Sequence, residues 1–442
     1  MSDTIFACAT PPGQSAIALF RLSGEACLLL AARLSGRELS HRLAQPSVIY
    51  DEKGVMLDEV MLLYLKAPAT PTGEDMLEIH CHGSLAVIEA ITDYLARQDE
   101  LRIAKPGEFT QRAFANQKMD LTEIEGLADL IDAQTEDQRR QAIHQLKGAL
   151  RQKATTWRHD IISLAARLES LIDFSDEDLP RSVQSEIEDK RDHLLYQIEV
   201  ALGDEGRGER IRNGVIITLI GPVNAGKSTA LNALARRPAA IVSDEAGTTR
   251  DIVEVRLNLE GMAVSLLDTA GIRETEGAIE RIGIERAHAA AESADLVLIM
   301  LDGADKGWRA EADRLKKDIK VPSITILNKK DLYEKEVDED GILQLSLHDE
   351  RDIQTLENHI IEQIKPLNLS GKTPIITRAR HRQLLQKAQN ALIRAGENSL
   401  SDAPELVGED LRIAADALGQ MTGHIDVEDI LDDIFSSFCI GK

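Results

Sequence analysis

The sequence is poor in aromatic side chains, in cysteine and in long apolar runs. Aromatics are 3% of the 442 residues against 43% hydrophobic residues, so a packed core must be aliphatic. The four cysteines contain no Cys-x-x-Cys pair, which gives no sign of a zinc ribbon and suits a reducing compartment. No apolar run approaches the roughly 20 residues that a membrane-spanning helix needs, and residues 1–12 lack the features of a secretory signal. We therefore expect a cytoplasmic protein that does not enter a membrane.

Positive charge is also scarce, since 51 Lys and Arg face 75 Asp and Glu, a net charge of −24. Such a chain does not bind nucleic acids non-specifically, because phosphate attraction needs clustered cations. A nucleic-acid partner must meet a local basic patch or come with a second protein. Two sets of cations are open to two interpretations, a solvated surface or an RNA contact, and the first set also suits carboxylates. They are Arg102, Lys105, Arg112 and Lys118, and the helical Arg139, Arg140, Lys147, Arg151, Lys153 and Arg158.

Hydrophobic periodicity divides the chain into four segments. Residues 1–118 mix short apolar runs with turn signals, which predicts a small α/β domain. Helical spacing fills residues 119–213, strand–turn–helix alternation fills 214–369, and helical spacing returns over 370–442. We predict a multidomain α/β plus α fold in which the α/β domain at 214–369 is inserted into a helical domain.

Local signals refine the first helical segment. Apolar residues from Leu146 to Leu171 recur at helical spacing and predict one long helix. Ser185 and Glu188 fit a capping box that would open the next helix. The glycine-rich, charged stretch Gly206–Gly214 predicts a linker.

A phosphate-binding loop follows the apolar strand Val215–Ile220. Residues Gly221–Ser228 read GPVNAGKS, the complete GxxxxGK[ST] pattern, and a helix is predicted directly after it. The glycines let backbone N–H groups turn toward phosphates at the helix start. Lys227 would supply a charge to the β- and γ-phosphates, and the Ser228 hydroxyl would coordinate Mg²⁺.

Three further elements follow in the order of a GTPase. Thr249, in the run GTTRD, is the candidate second hydroxyl on Mg²⁺, and Asp268 begins a strand-end Asp-x-x-Gly that closes with Gly271. Loss of the γ-phosphate would release both loops. Asp331 closes Asn-Lys-x-Asp and would accept from the N–H groups of guanine, whereas adenine presents an acceptor there. The sequence therefore predicts GTP as the nucleotide.

Two positions depart from the usual GTPase pattern. Ile272 stands where Ras-like proteins carry a water-orienting glutamine, so the catalytic group must come from elsewhere. Glu280 is a candidate, although a solvated helix-face acid is an equal reading. The base-binding triplet Ser346-Leu347-His348 replaces the usual Ser-Ala-Lys. The backbone of Ser346 and Leu347 would still serve.

Asn224, inside the phosphate loop, has two interpretations. Its amide oxygen could help to bind a monovalent cation that does the work of an arginine finger. It could equally be an asparagine that only shapes the loop. We predict Glu280, Lys227 and Asn224 as catalytic. The residues predicted to bind GTP are Asn224, Ala225, Gly226, Lys227, Ser228, Thr229, Ser243, Asp244, Glu245, Ala246, Gly247, Thr248, Thr249, Asp268, Thr269, Ala270, Gly271, Asn328, Lys329, Asp331, Ser346 and Leu347.

Over essentially its whole length the chain resembles the tRNA-modification GTPase family MnmE, also called TrmE. Four stretches carry the resemblance in addition to the nucleotide loops: ATPPG at 9–13, PGEFTQRAF at 106–114, KMDL at 118–121 and FSSFCIGK at 435–442. The resemblance implies a potassium-dependent GTPase, a homodimer joined through N-terminal domains, and G domains that meet across it. It also implies a bound tetrahydrofolate one-carbon donor and a flavoprotein partner, MnmG, which would carry FAD. The pair would add an aminomethyl or carboxymethylaminomethyl group to the wobble uridine of certain tRNAs.

Family roles carry over position by position. Asn224 matches the potassium ligand, and Ser243, Glu245 and Thr248 complete that site. Glu280 matches the acid that positions the attacking water. Cys439 matches the terminal cysteine and is a candidate for a role in the modification. The folate-contacting positions are Arg21, Glu78, Lys118 and Lys442.

The strand at Met76–Gly83 and the C-terminus add two predictions. Alternation puts Glu78, His80 and His82 on one face, and the two histidines leave a metal site open as a minority interpretation. The terminal CIGK suits a prenylation motif poorly, so we expect the end of the chain to tuck into a protein site.

Two other classes of function compete with the enzyme. A GTP-regulated RNA-binding or ribosome-assembly factor predicts an RNA module beside the G domain, and the sequence shows none. A membrane-remodelling GTPase predicts a basic amphipathic helix or a lipid anchor, and neither is present in the sequence.

Overall fold

A computed structural model of the chain places most of its 442 residues. The residues that the structure describes are 3–11, 13–173, 181–237, 253–268, 294–317, 319–333, 337, 341–368, 373–398, 400, 403–423, 425, 431, 434–435, 438 and 441.

A mixed six-stranded sheet forms the N-terminal part of the chain, in the order β3-β4-β5-β2-β1-β6. The β1–β6 pair is parallel and all other neighbours are antiparallel. The short apolar runs in the sequence become these strands, and the α/β prediction is confirmed. The strands are β1 Thr4–Cys8, β2 Ser15–Ser23, β3 Ala44–Tyr50, β4 Met56–Leu65, β5 Met76–Gly83 and β6 Leu101–Ile103.

Three helices accompany this sheet: α1 Cys27–Ser35, α2 Leu85–Ala96 and α3 Glu108–Ala115. Helix α2 begins at an N-cap serine, Ser84, whose hydroxyl accepts from the Val87 N–H. Its buried Ile91 and Leu95 join Phe20 and Leu62 in one core cluster. One face of the sheet is thereby packed against helices.

Five helices follow: α4 Leu121–Asp132, α5 Glu136–Leu146, α6 Ala149–Asp173, α7 Arg181–Leu202 and α8 Arg207–Asn213. The predicted apolar face of α6 is confirmed, since five of its side chains are at most 1% exposed. They are Leu150, Trp157, Ile161, Leu164 and Leu168.

Two predictions about where the helices of this region begin and end are wrong. The long helix breaks after Leu146, where Gly148 takes φ 77°, a conformation that favours glycine. Ser185 is not the N-cap of α7, because the helix already begins one turn earlier, at Arg181. In the sequence a proline directly precedes Arg181, and proline is the stronger initiation signal.

The predicted linker Gly206–Gly214 is largely helix α8. Glycine and charge suggested a linker, yet both serve tertiary contacts. The Gly208 backbone approaches Ile376 so closely that an added Cβ would lie 1.7 Å from the Ile376 oxygen. Glu209 Oε1 accepts from Arg382 Nε at 2.7 Å, and Asp129 Oδ1 accepts from Arg212 Nε at 2.8 Å.

A second six-stranded sheet follows, in the order β12-β11-β10-β7-β9-β8. All its neighbours are parallel except the antiparallel β8–β9 hairpin. This strand order, with helices between the strands, is a Ras-like α/β arrangement, and the fold prediction is confirmed. The elements are β7 Val215–Ile220, α9 Lys227–Ala235, β8 Val253–Leu259, β9 Met262–Asp268, β10 Leu296–Asp302, α10 Trp308–Lys316, β11 Ser323–Asn328, β12 Ile342–Gln344 and α11 Glu350–Ile364.

Two long helices follow the second sheet, α12 Ala379–Glu397 and α13 Pro404–Thr422. Their periodic residues Leu385, Leu392, Leu411, Leu418 and Met421 are all at most 1% exposed, so the predicted return of helical structure is confirmed. Helix α13 packs on α6: a Cβ added at Gly419 would lie 3.2 Å from Arg158 Nε. Helical segments before and after the second sheet therefore pack together.

The described residues near the C-terminus are tucked into the protein, as predicted. Phe435 and Phe438 are 5% and 7% exposed and pack in one cluster with Ile124. A Cβ added at Gly107 would lie 2.7 Å from the Phe435 oxygen, and one added at Gly441 would lie 2.9 Å from Ala9 Cα. Three separate stretches of the sequence thus meet in one place.

The chain forms two compact units. The first comprises residues 1–128, 145–191 and 390–442, and the second comprises 129–144 and 192–389. The predicted domain boundaries after residues 118, 213 and 369 stay predictions. Among the helices that the structure describes, none is long and apolar enough to span a membrane.

We predict that Gly208→Ala destabilises the second unit. The new methyl group would overlap the Ile376 oxygen, and such overpacking lowers the free energy of unfolding by about 1–3 kcal/mol. Gly408→Ala in α13 is the matched control, because its added Cβ would meet nothing closer than 3.8 Å. That variant should gain up to about 1 kcal/mol from helix propensity. Urea unfolding followed by circular dichroism measures both, and equal shifts would contradict the predicted clash.

Candidate functional site

Two glycines shape the loop between β7 and α9. Gly221 takes φ 148°, and a Cβ there would lie 2.0 Å from the Met300 oxygen. Gly226 takes φ 101°, and its Cβ would lie 2.2 Å from Asn328 Nδ2. Both positions therefore need glycine for conformation and for close backbone approach. The loop leads its backbone N–H groups to the start of α9, where a helix favours anions.

Lys227 is buried at the start of this helix, only 7% exposed. Its Nζ donates to the carbonyl oxygens of Gly221 and Pro222, each at 2.8 Å. These contacts hold the ammonium group inside the loop. Thr229, the next predicted nucleotide contact after Ser228, is exposed on the same helix turn.

Ser228, in the first turn of α9, and Asp268, at the end of β9, come together at one edge of the second sheet. The Ser228 Oγ donates to Asp268 Oδ2 at 2.9 Å, and Asp268 is 2% exposed at the end of β9. Strand β9 pairs with β7 in parallel, with Asp268 opposite Leu219, so both groups reach the same sheet edge. A hydroxyl beside a carboxylate offers the hard oxygen donors that Mg²⁺ prefers, and these residues fit that ion.

Asn224 adopts φ 63° and is exposed. Asparagine tolerates this left-handed conformation better than most residues. The shape of the loop therefore accounts for the residue type by itself, and its role as a potassium ligand stays a prediction.

Asn328 joins the phosphate loop to the loop after β12. Its Nδ2 donates to the Ala225 oxygen at 3.0 Å, and its Oδ1 accepts from the Leu347 N–H at 3.3 Å. The side chain is 4% exposed, and both ends of its amide are used. Lys329, next in the chain, takes φ 65° and binds Asp302 Oδ2 at 2.6 Å.

Asp331 presents its carboxylate at the surface beside this bridge. The Ser346 hydroxyl donates to Asp331 Oδ1 at 2.7 Å. That hydrogen bond is the main reason that the pKa of Asp331 lies below its usual value, with a further contribution from a backbone N–H. The lowered pKa favours the ionised form of Asp331, which is the form that can accept from two donors.

At the departure Leu347-His348, the Leu347 N–H donates to Asn328 Oδ1 at 3.3 Å. Leu347 is 5% exposed and packs in the core of the second sheet, while His348 is exposed. Sequence reasoning missed one residue here: Asp352 Oδ2 accepts from the Ser346 N–H at 2.7 Å. The Asp-x-x-Asp spacing from Asp349 to Asp352 signals the start of α11, but it gives no sign of the contact with Ser346.

Thirteen predicted site residues lie outside the described residues. They are Ser243, Asp244, Glu245, Ala246, Gly247, Thr248, Thr249, Thr269, Ala270, Gly271, Glu280, Cys439 and Lys442.

Arg21 and Glu78, two predicted folate contacts, face each other across β2 and β5. Arg21 donates from Nε and Nη2 to Glu78 Oε1 at 3.2 and 3.1 Å. Glu78 Oε2 also lies 3.6 Å from His80 Nε2. Lys118 is exposed elsewhere, beside Gly73, where an added Cβ would lie 3.1 Å from its Cε. The structure thus brings two of the four predicted folate residues into contact.

The two histidines of β5 share the predicted face but do not share a partner. His82 Nδ1 lies 2.8 Å from Asp58 Oδ1, whereas His80 lies beside Glu78. Among the described residues, no group of three or more His, Cys, Asp or Glu is arranged to hold a metal ion. The structure therefore does not support the minority interpretation of this strand as a metal site.

The basic stretch from Arg102 to Lys118 is mostly engaged in ion pairs. Arg112, 12% exposed at its side chain, pairs with Glu74 at 2.9 Å, with Asp3 at 2.9 Å and with Glu108 at 3.3 Å. Arg102 pairs with Asp3 and Glu108. Burial alone would raise the pKa of Glu108, but hydrogen bonds from Arg102 and the Lys105 N–H lower it overall. These two arginines stabilise the N-terminal fold, contrary to both a solvated surface and a free anion site.

Comparisons with known proteins cover the whole chain. A family model described as MnmE helical domain matches residues 121–439, and one described as GTP-binding protein TrmE N-terminus matches residues 4–118. The relatives that match include three proteins named tRNA modification GTPase MnmE. The protein of Parvibaculum lavamentivorans is 46% identical over 450 residues, covering 100% of both chains. Those of Hyphomonas neptunium and Caulobacter vibrioides are each 44% identical, covering 100% of this chain and 99% and 100% of theirs.

Matches of this identity over full length fit the geometry already described, in which the glycine-rich loop, Asp268 and Asp331 lie at one edge of the second sheet. The chain belongs to the MnmE family of tRNA-modification GTPases.

Proposed function

We propose that this chain hydrolyses GTP and uses the resulting switch to drive modification of the wobble uridine of certain tRNAs, together with an MnmG-type flavoprotein that carries FAD. A tetrahydrofolate derivative would supply the one-carbon unit. The observation that supports this most directly is that Lys227, Ser228, Asp268 and Asp331 all lie at or after the ends of strands at one carboxyl edge of the second sheet, where Ser228 contacts Asp268. The proposal further includes a cytoplasmic homodimer joined through N-terminal domains.

In this proposal Lys227 binds the β- and γ-phosphates by leaving its loop carbonyls for phosphate oxygens. The hydroxyls of Ser228 and Thr249 would hold Mg²⁺, which neutralises charge that develops on the phosphates. Asp268 orients this shell from its buried position. Glu280 would orient the attacking water in place of the missing glutamine.

Guanine is selected by Asp331. An ionised carboxylate accepts from the ring N–H and the exocyclic amine of guanine, but meets an acceptor in adenine. Ser346 keeps this carboxylate ionised and in place. Membership of a tRNA-modification family argues against the ribosome-assembly alternative.

Potassium should accelerate hydrolysis if Asn224, Ser243, Glu245 and Thr248 bind that cation. We expect GTP hydrolysis at fixed ionic strength to be about 10-fold or more faster in potassium than in sodium, because a fixed charge would stabilise the transition state. The informative variant is Asn224→Gly, since glycine accepts φ 63° without strain whereas alanine does not. It should lose the potassium response.

Val223→Ala is the control for this measurement, because Val223 is a neighbouring loop residue that is 68% exposed. It should keep the response. Equal wild-type rates in the two salts would reduce Asn224 to a loop-shaping residue and assign the missing catalytic group to Glu280 or to a partner protein.

Asp331→Asn should change the preferred base. The amide gives the ring N–H of guanine one acceptor fewer and opposes its amine with a donor, so GTP affinity should fall about 100-fold. Xanthosine triphosphate carries a carbonyl at that position and should bind the variant better than the wild type. Competition against a fluorescent nucleotide measures both, with the exposed neighbour Lys330→Ala as the control. Unchanged base preference would remove Asp331 from the recognition of guanine.

The tRNA role is tested by mass spectrometry of tRNA incubated with this chain, an MnmG-type flavoprotein, GTP and a labelled tetrahydrofolate donor. Label should enter the wobble uridine. Arg21→Ala should lower that incorporation about 10-fold through loss of a charge-assisted contact, without changing GTP hydrolysis. Arg33→Ala, an exposed arginine of the same unit, should behave as wild type. Unmodified uridine with the wild-type chain would overturn the tRNA role.

A further inference from the structure

The base-binding loop Leu345–Leu347 is held at every residue. The Leu345 N–H donates to the Leu327 oxygen at 2.9 Å, and the Leu345 oxygen accepts from the Lys330 N–H at 3.0 Å. The Leu347 N–H donates to Asn328 at 3.3 Å. These contacts tie the ends of the loop to β11 and to the residues that follow it. The middle residue of the loop is Ser346, whose hydroxyl donates to Asp331 Oδ1.

The backbone of Ser346 is anchored to the start of α11, where its oxygen accepts from the Asp349 N–H at 2.9 Å. Its N–H donates to Asp352 Oδ2 at 2.7 Å, and its hydroxyl donates to Asp331 Oδ1 at 2.7 Å. Ser346 is 7% exposed, so water cannot readily replace either contact. A hydrogen bond to an ionised acceptor is stronger than a neutral one. Asp352 is therefore the side chain that fixes the Ser346 N–H, and the direction of the Ser346 hydroxyl depends on this contact.

We propose that Asp352 is a positioning residue for guanine selection, which acts through Ser346 on the Asp331 carboxylate. This rests on the proposed function, in which Asp331 reads the base. The usual triplet of this loop ends in a lysine, and here the exposed His348 stands in that place. The Asp352 carboxylate, in the first turn of α11, binds the backbone of this loop.

The simpler role for Asp352 is to stabilise the start of α11, since acidic residues in a first turn favour a helix. That need is already met. Asp349 is the N-cap and accepts from the Arg351 N–H at 2.9 Å, and Glu350 lies in the same turn. Asp352 lies at the third helical position and reaches back past the cap to Ser346. Asp349 therefore stabilises the start of α11, whereas Asp352 holds the loop residue Ser346.

The test measures the affinities of GDP, inosine diphosphate and ADP for the wild type, Asp352→Ala, Asp352→Asn and Asp349→Ala. Inosine diphosphate lacks the exocyclic amine, so the ratio of GDP to inosine affinity reports how well Asp331 meets both donors. Asp352→Ala should lower this ratio about 5- to 10-fold, in line with one hydrogen bond to a charged group. Asp352→Asn keeps an acceptor oxygen and should retain most of the ratio.

Asp349→Ala should lower the melting temperature as much as Asp352→Ala, because it removes a helix cap, yet leave the ratio unchanged. The double variant with Ser346→Ala and Asp352→Ala should lower the ratio of GDP to inosine diphosphate affinity little more than Ser346→Ala alone. Both residues act on the Asp331 carboxylate, so their effects should not add. An unchanged ratio in Asp352→Ala, or an equal fall in Asp349→Ala, would overturn the positioning role. A wild type that does not distinguish GDP from ADP would instead overturn guanine recognition itself.

Discussion

The amide of Asn328 is the contact on which the geometry of the nucleotide site depends. It donates to the Ala225 oxygen in the phosphate loop and accepts from the Leu347 N–H in the base loop, and it is buried. An aspartate could not donate to Ala225, and an aliphatic residue would leave two buried backbone groups unpaired, at a cost of about 1–3 kcal/mol each. The phosphate end and the base end of the site are therefore fixed to one side chain.

The neighbouring residues follow from that contact. Gly226 is required because a Cβ would meet the Asn328 amide at 2.2 Å, and Leu347 packs beneath the phosphate loop because the bridge draws its backbone there. Parallel pairing of β9 with β7 then delivers Asp268 to Ser228. Ligand sites of open α/β sheets lie outside the carboxyl ends of the strands for this reason, since parallel strands release their loops on one edge.

In the N-terminal unit the scarce positive charges are used within the fold. Arg112 and Arg102 neutralise Asp3 and Glu108, and Arg21 neutralises Glu78. Glu108 is 7% exposed, so removing its two arginine partners would leave a buried charge unpaired, which costs several kcal/mol. Arg102 and Arg112 are therefore held within the fold.

Much of the site is readable in the sequence, because its chemistry is local. The phosphate loop, Asp268 and the Asn328–Asp331 motif each follow an apolar strand, and spacing along a strand or helix fixes which side chains reach its end. The apolar face of α6 and the alternation in β5 are legible for the same reason.

Contacts between residues far apart in the chain were decided only by the tertiary structure. Spacing gave no sign that Asp352 would hold Ser346, that Arg102 and Arg112 would pair with Asp3, or that Gly208 would need to clear the Ile376 oxygen. For the same reason the sequence predicted a linker at Gly206–Gly214. The contacts that its glycines and charged residues make with Ile376, Arg382 and Asp129 form only in the folded protein. The sequence by itself determined which motifs are present and where they lie along the chain. The tertiary structure decided which charged residues form ion pairs and which glycines are required, because those interactions depend on distance in space.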